Sequence, residues 1–318
     1  MKFKGTYFSL IVLITLALAI FITKKCFKEK ESLLFPNLKV AEISKITILT
    51  KEDKVTLEKK ANEWLVTTSL NYPANPQQVK DLIDKIKHLS SKNVVSINPK
   101  KKAFYGLDKD YLEVRVSKAK DKDISCFFIG QNAPDFYSTY IQKKDSQEVI
   151  LINEDLRGIF NKGNTYWRDR TILSFNPWEV DQLILNKEGK ETIISSKKEG
   201  KFKEGKFKDG KFEIIKPERI EAKEEVVKSI LDELSKLKTD NFYLEDNLKV
   251  CGFDRPCSFI KVIFKNKLEK TLLVGNENKN DQAYLKREGS STIFLVSKYR
   301  LGDLFREIKD LRKDLKKE

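Results

Sequence analysis

Two aspartates occupy matched positions in this chain, because Asp108 and Asp254 each follow a glycine and an apolar residue. A matched pair of carboxylates can bind a metal ion, or act as general acid and base in a hydrolase. The alternative is a tight turn, in which glycine adopts a positive φ and the carboxylate accepts hydrogen bonds from nearby backbone N–H groups. Equivalent carboxylates of two tandem domains usually lie far apart, which favours the turn.

Other residues that could do chemistry are sparse. The single histidine, His88, falls on the polar side of a predicted helix, which argues against a Ser-His-Asp or Cys-His triad. Cys251 and Cys257 could close a small loop in an oxidising compartment, and two unpaired core cysteines are the equal alternative. The sequence contains no phosphate-binding loop, dinucleotide-binding motif or zinc-protease motif. We therefore predict no enzyme, and no catalytic, metal-binding or cofactor-binding residue.

A repeated basic and aromatic unit indicates a different kind of binding. Lysine, an acidic residue, glycine, lysine and phenylalanine follow one another three times over residues 198–212. A protruding finger of such residues can contact a membrane or another anionic partner. The alternative is replication slippage that lengthened the tip of a hairpin. The candidate contacts to an anionic partner are Lys201, Lys206, Lys211, Phe202 and Phe207.

The chain is strongly basic. Its 318 residues include 62 lysines and arginines against 47 acidic residues, which gives a formal net charge of +15. Most of the positive residues are scattered lysines, as is typical of a solvated surface. A nucleic-acid-binding protein would concentrate arginine and aromatic residues on one motif, so we expect no nucleic-acid partner. Attraction to an anionic membrane or envelope polymer is the functional alternative.

The N-terminal region has the pattern of a membrane anchor. Residues 7–22 are sixteen consecutive uncharged, mostly apolar residues between lysines on both sides. As a helix they would rise about 24 Å, slightly less than the roughly 30 Å of a hydrocarbon core, and flanking lysines can cover part of the difference. No small-x-small cleavage site follows. We predict an uncleaved anchor over residues 1–23 and a linker over 24–36, whose orientation the flanking lysines do not decide.

The predicted elements around each Gly-apolar-Asp turn occur twice. Gly252 matches Gly106 at an offset of 146 residues, and Gly275 matches Gly130 at an offset of 145. An amphipathic helix precedes each turn, and its apolar residues match at an offset of 148. They are Val79, Leu82, Ile83, Ile86 and Leu89 in the first half, and Val227, Ile230, Leu231, Leu234 and Leu237 in the second. We infer a tandem duplication.

The offset between the halves also locates an insertion. It is 137 residues at the first predicted strand and 148 at the third, so the second copy gains residues between them, where the Lys-Phe units lie. Apolar alternation at period two predicts strands with one buried face. The expected fold class is α+β, with two tandem similar domains after an N-terminal transmembrane helix. Each domain is expected to be an antiparallel sheet with one main amphipathic helix.

These patterns give the expected domain boundaries. The first α+β repeat is expected over residues 37–162 and the second over residues 163–318. The second carries the Lys/Phe-rich insertion at about 197–212. A charged helix is expected from Arg300 to Glu318, because apolar residues recur there at helical spacing.

Several short motifs follow one another in a characteristic order from about Leu34 to Phe305. After the apolar N-terminal segment they are the Trp64 strand, Pro73-Ala74-Asn75, Tyr105-Gly106-Leu107-Asp108, Phe128-Ile129-Gly130, Trp167-Arg168-Asp169-Arg170 and Phe175-Asn176-Pro177-Trp178-Glu179-Val180. Their order and spacing resemble the bacterial family of domains of unknown function numbered 4340. The Lys-Phe insertion departs from the family pattern, and so does Cys251, which replaces the aromatic residue before Gly252.

The resemblance implies a location and a role. Such proteins are anchored in the bacterial inner membrane as single-pass proteins, with the soluble part facing the periplasm or the cell exterior. Many are encoded beside ABC-transporter permeases and gliding-type auxiliary proteins, which implies an accessory role in the envelope. The resemblance carries over no catalytic residue.

We therefore expect a non-catalytic scaffold or binding subunit that serves an ABC-type transport or envelope system. Its expected partners are the lipid bilayer, through residues 7–22, and an ABC-type permease, auxiliary protein or other envelope protein. One alternative is a basic surface module that binds anionic lipid or envelope polymer. A metal-assisted hydrolase that uses Asp108 or Asp254 is the other.

Overall fold

The computed structural model describes residues 32–68, 71–91, 93–198, 201–203, 206–208, 211–245, 247–254 and 258–313. The chain divides into two compact units between Asp169 and Arg170. In these ranges no helix is both long and apolar enough to cross a membrane. The predicted anchor at residues 1–23 and most of the predicted linker lie outside them.

The first unit is one antiparallel sheet of nine strands in the order β4-β3-β2-β1-β6-β7-β8-β9-β5. The strands are β1 (Lys45–Leu49), β2 (Lys54–Lys60), β3 (Glu63–Val66), β4 (Tyr72–Pro73), β5 (Val94–Ser96), β6 (Leu112–Lys118), β7 (Lys122–Asn132), β8 (Thr139–Lys143) and β9 (Val149–Ile152). The α-helices are α1 (Pro76–His88), α2 (Leu156–Phe160) and α3 (Asn164–Trp167), and 3-10 helices cover Val40–Glu42, Pro99–Tyr105 and Ala119–Asp121.

Helix α1 connects the two opposite edges of this sheet, because it lies between β4 and β5 in the chain. Asn75 caps it by accepting hydrogen bonds from the N–H groups of Gln77 and Gln78, and Pro76 fits the first helical position. Its apolar stripe packs on one face of the sheet, as the period-two alternation of the strands predicts. The core includes Ile46, Ile48, Leu57, Val79, Leu82, Ile83, Ile86, Val114, Val116, Phe127, Ile129 and Ile141.

The second unit is also a nine-stranded antiparallel sheet, in the order β15-β14-β11-β10-β17-β18-β19-β20-β16. Its strands are β10 (Val180–Lys187), β11 (Lys190–Lys198), β14 (Lys211–Lys216), β15 (Ile220–Glu221), β16 (Asn241–Tyr243), β17 (Ser258–Phe264), β18 (Glu269–Glu277), β19 (Gln282–Arg287) and β20 (Ile293–Ser297). Two further strands, β12 (Lys201–Lys203) and β13 (Lys206–Lys208), pair separately. The α-helices are α4 (Glu224–Ser235), α5 (Lys298–Leu304) and α6 (Ile308–Leu311), and 3-10 helices cover Pro177–Glu179 and Leu248–Cys251.

The two sheets therefore have the same strand order, position by position, and α4 corresponds to α1. The buried residues of α4 are Val227, Ile230, Leu231 and Leu234, which are the matches predicted for Val79, Leu82, Ile83 and Ile86. This confirms the α+β fold class with two similar antiparallel sheets. The predicted transmembrane helix is outside the described residues and remains a prediction.

The division between the units falls slightly after the predicted boundary at residue 163. Residues 164–169 belong to the first unit because they hydrogen-bond to the entry of α1. The N–H of Asn75 donates to the carbonyl of Trp167, and the N–H of Asp169 donates to the carbonyl of Pro73. The Trp167 side chain is buried in the first core.

The C-terminal segment differs from the single charged helix predicted from Arg300 to Glu318. It forms the two short helices α5 and α6, and the residue before α6, Glu307, is extended. The chain after α6 pairs with the strand that precedes α4: the N–H of Lys313 donates to the carbonyl of Glu221, and Leu311 accepts from Lys223. This pairing replaces helical hydrogen bonds. Residues 314–318 lie outside the described ranges.

Candidate functional site

The two Gly-apolar-Asp sequences are turns that rest on a strand of their own unit. Gly106 and Gly252 have φ of 65° and 73° and end equivalent 3-10 helices. A Cβ atom on Gly130 would lie 2.1 Å from the carbonyl oxygen of Tyr105, and one on Gly275 would lie 1.9 Å from that of Cys251. Each turn therefore needs a glycine with positive φ and a second glycine in the strand beneath it.

Both aspartates of these turns are exposed. No hydrogen bond between described residues uses the Asp108 carboxylate, so the expected hydrogen bonds from nearby backbone N–H groups are absent there. Asp254 adjoins residues outside the description. Across the described ranges, no group of three or more His, Cys, Asp or Glu side chains is placed to hold a metal ion. The structure thus brings neither aspartate into a described cluster that could do chemistry.

An aromatic cluster occupies the space where each turn meets the sheet. In the first unit, the Tyr105 and Tyr140 rings are 4.8 Å apart, and Leu107 and Val149 are buried with them. In the second unit, Cys251 takes the place of Tyr105 and is fully buried beside Tyr284. The neighbouring ring comes instead from Tyr243 of β16, 5.1 Å from Tyr284. In the second unit, Tyr243 therefore supplies the aromatic contact that Tyr105 makes in the first unit and that Cys251 cannot make.

The two described cysteines are poorly suited to nucleophilic chemistry, because a thiolate is the reactive form. Burial, and then the neighbouring Glu113 carboxylate, raise the pKa of Cys126 to about 11. Burial also raises the pKa of Cys251. Cys257 lies outside the described residues, so its pairing with Cys251 is not decided.

The Lys-Phe insertion lies between two paired strands of the second sheet. β11 and β14 are antiparallel neighbours, with Lys198 opposite Lys211 at their ends. Between them, β12 and β13 form a two-stranded ladder that places position 202 opposite 207 and position 201 opposite 208. Of the candidate contacts, Lys211 is exposed. The side chains of Lys201, Phe202, Lys206 and Phe207 lie outside the description, and their role stays a prediction.

An exposed apolar segment that the sequence patterns did not single out lies at the β5 edge of the first sheet. We define the edge patch as Val94, Val95, Ile97, Lys100, Lys101, Lys102 and Phe104. Ile97 is 68% exposed and Phe104 69%. The signal was available in the sequence: consecutive residues of a strand point to opposite faces, so Val94 and Val95 cannot both face one core.

The second unit exposes apolar residues at the equivalent place. We define the second patch as Leu244, Leu248 and Val250, which follow β16 and include the 3-10 helix before Gly252. Leu244 and Leu248 are 60% and 59% exposed, and Val250 matches Phe104 at the same offset as the turn glycines. The charges differ: residues 244–250, which span the second patch, contain Glu245, Asp246 and Lys249, whereas the edge patch holds three lysines and no acidic residue.

A charged groove of about 1030 Å³ lies on the outer side of α4 in the second unit. Its walls contain side chains of both charges, and several of these side chains form salt bridges. Arg300 donates to Glu233 at 2.9 Å and to Asp240 at 3.3 Å, and Arg306 pairs with Asp303 at 2.5 Å. Because opposite charges neutralise each other along its length, this groove favours neither an anionic nor a cationic ligand.

Comparison with known protein families gives a match. A family model described as a domain of unknown function (DUF4340) matches residues 64–256 and 214–315. The first range begins in β3 and the second in β14, which are corresponding strands of the two sheets. No curated protein and no solved structure matches the chain.

Proposed function

The chain belongs to the DUF4340 family, and we propose that it is a non-catalytic scaffold or binding subunit, anchored in the bacterial inner membrane and facing outward. In this proposal it serves an ABC-type transport or envelope system. The anchor is residues 7–22. The soluble units present docking surfaces, and no residue turns over a substrate.

One observation carries the proposal: both units leave apolar side chains exposed at equivalent positions. The Gly-apolar-Asp turns, which are the other prominent repeated feature, are used in packing against the sheet. The exposed residues beside them make no comparable contribution to a core. Clustered exposed apolar side chains mark interaction surfaces more often than isolated ones do. We assign the second patch, Leu244, Leu248 and Val250, to a protein partner.

The partner should be a membrane or envelope protein, since the proposed anchor holds the chain at the bilayer. A surface with exposed leucines and charged residues of both signs beside them suits a protein interface, which has an apolar centre and a polar rim. Lipid alone would favour positive charge without Glu245.

The test is crosslinking in native membranes with the full chain. A photoreactive amino acid at position 248 should capture an ABC-type permease or its auxiliary protein. The same group at position 288, which is exposed in the second unit but outside the second patch, is the matched control. Recovery of the same protein from both positions, or of lipid alone from position 248, would contradict the assignment.

A second candidate function is contact of the Lys-Phe insertion with anionic lipid or envelope polymer. The pairing of β12 with β13 favours it, because the ladder sets position 202 opposite 207 and gathers four lysines on two short strands. Binding of this kind weakens steeply with salt. Neutralising Lys201, Lys206 and Lys211 should remove the salt-dependent part of binding to anionic vesicles, and unchanged binding would count against it.

A further inference from the structure

The place where the chain enters the first unit is fixed by hydrogen bonds. The N–H of Leu34 donates to the carbonyl of Leu89 at 2.8 Å, and the N–H of Ser91 donates to the carbonyl of Ser32 at 3.2 Å. Ser90 and Leu33 form a bridge between these two segments. The first described residues therefore lie directly beside residues 89–91, which lead into β5.

The same contacts continue into the edge of the sheet. The Ser91 hydroxyl donates to the carbonyl of Leu151 at 2.6 Å, and the N–H of Leu151 donates to the carbonyl of Asn93 at 2.8 Å. β5 follows at once and is an outer strand of the sheet. Leu33, Val94 and Val95 are all exposed here. The entry point and the start of the edge patch, Val94 and Val95, therefore lie at the same edge of the first sheet.

The length of the chain before this point limits its distance from the bilayer. Eight residues lie between Thr23, the end of the proposed anchor, and Ser32, so nine residue-to-residue steps join them. A fully extended chain spans at most about 3.5 Å per residue, so Ser32 can lie no more than roughly 30 Å from the end of the anchor. The β5 edge of the first sheet, beside which Ser32 lies, is therefore held near the membrane surface by the anchor.

The composition of the edge patch matches an anionic lipid surface. Residues 93–104 contain Lys100, Lys101 and Lys102 and no acidic residue. Exposed Val94, Val95, Ile97 and Phe104 flank or precede these lysines. Apolar side chains that reach the headgroup boundary, together with lysines that meet anionic headgroups, are the two contributions that hold a protein on a membrane surface.

We propose that the first unit docks on the anionic lipid surface through the edge patch, so that the chain meets the membrane twice, by its anchor and by this side of the first sheet. The docking rests on the proposed function in one respect, the anchor at residues 7–22. It assigns the edge patch to lipid and leaves the second patch to a protein, because the edge patch itself combines exposed apolar residues with three lysines, whereas Glu245 and Asp246 lie within the segment of the second patch.

Amide hydrogen exchange of the full chain in lipid nanodiscs tests the docking. Nanodiscs rich in phosphatidylglycerol are compared with nanodiscs of phosphatidylcholine. A lysine near an anionic surface contributes about fivefold to binding, so three lysines should slow exchange over residues 93–105 by at least about tenfold in the anionic discs. Exchange over β7 and over the second patch should be the same in both lipids.

Two triple variants of equal net charge provide the matched control. Lys100→Gln, Lys101→Gln and Lys102→Gln together should abolish the lipid-dependent slowing. Lys59→Gln, Lys80→Gln and Lys109→Gln, which change exposed lysines elsewhere in the first unit, should preserve it. Ile97→Ser with Phe104→Ser should weaken it while leaving the core intact, because both side chains are largely outside the core.

Equal exchange in the two lipids, in a chain that resists carbonate extraction, would overturn the docking while leaving the anchor and the scaffold proposal standing. Slowing that appears only in native membranes, and not in lipid nanodiscs, would also overturn it and would assign the edge patch to a protein. Loss of the chain on carbonate extraction would remove the anchor itself, and with it the premise of the docking.

Discussion

The β2–β3 hairpin of the first unit and the equivalent β11–β14 hairpin of the second close in different ways. The first turns through Ala61 and Asn62, whose φ angles of 46° and 72° suit a two-residue turn between twisted strands. The second passes through residues 199–210 and the separate β12–β13 ladder. The strand order of the two sheets is nevertheless the same. A hairpin tip can thus gain a segment without disturbing the sheet, since loop closure costs grow slowly with length.

The exposed patches give a second comparison, in which the two units differ in charge although their backbone positions correspond. Their backbone positions are equivalent, but their charges are not, with three lysines in the edge patch and two acidic residues and one lysine in the segment of the second patch. Burial preserves the pattern of apolar residues that pack each sheet, whereas exposed positions are free to differ. In the proposals made above, this difference in charge assigns the two patches to separate partners.

The largest expected effect tests whether the two cores are energetically equivalent. Ile86 of α1 and Leu234 of α4 match each other and are both fully buried. Ile86→Ala and Leu234→Ala should each lower the free energy of unfolding of their own unit by about 3.5 kcal/mol, because a cavity replaces packed atoms. Denaturant titration of the full chain in detergent measures this. If only one of the two substitutions lowers the free energy of unfolding of its unit, the two cores are not energetically equivalent.

The next effect concerns the turns that rest on the strands. Gly130→Ala and Gly275→Ala each place a Cβ about 2 Å from a backbone carbonyl, so one segment must move. We expect a loss of about 2–3 kcal/mol in the affected unit, measured by the same titration. Gly163→Ala, which meets no atom within 4 Å, is the control. A loss equal to that of the control would mean that the close approach of turn and strand is not required.

Shortening the loop between β11 and β14 should give the second unit the same two-residue turn that joins β2 and β3 in the first. Replacing residues 199–210 by Ala-Asn should retain the sheet and raise the free energy of unfolding of the second unit by about 1.5 kcal/mol, since a shorter loop closes at lower entropic cost. Thermal and denaturant unfolding measure the change. Failure of the shortened chain to fold would show that the β12–β13 ladder supports the sheet.

The smallest effect concerns the helix caps. Asn75 and Lys223 have similar backbone angles before α1 and α4, but the Lys223 side chain forms no capping hydrogen bond. Asn75→Ala should cost about 1 kcal/mol, and Lys223→Asn should gain about 0.5 kcal/mol by supplying the missing acceptor. Unfolding of each variant against the parent chain measures the difference. If Lys223→Asn does not raise the free energy of unfolding, the contacts of the lysine side chain stabilise the unit as much as a capping hydrogen bond would.

The amphipathic helices, the central strands and the position of the insertion could be predicted from the sequence. The buried residues of α1 and α4 are those that helical spacing indicated, because that spacing is a local property of a helix packed on one face. β5 and β16 have three residues each, and segments this short show too little alternation to be recognised as strands; the exposure that Val94 and Val95 imply follows only once β5 is known to be a strand. The edge patch was missed for that reason.

By itself the sequence determined that two similar α+β repeats follow one another, because duplicated residues keep their order and spacing wherever they fold. Tertiary structure decided the features that depend on neighbours distant in the chain. Gly130 is required because the carbonyl of Tyr105 lies against it, and the C-terminal segment leaves its helix because Lys313 pairs with Glu221. Such contacts join segments that no local periodicity relates, so only packing brings them together.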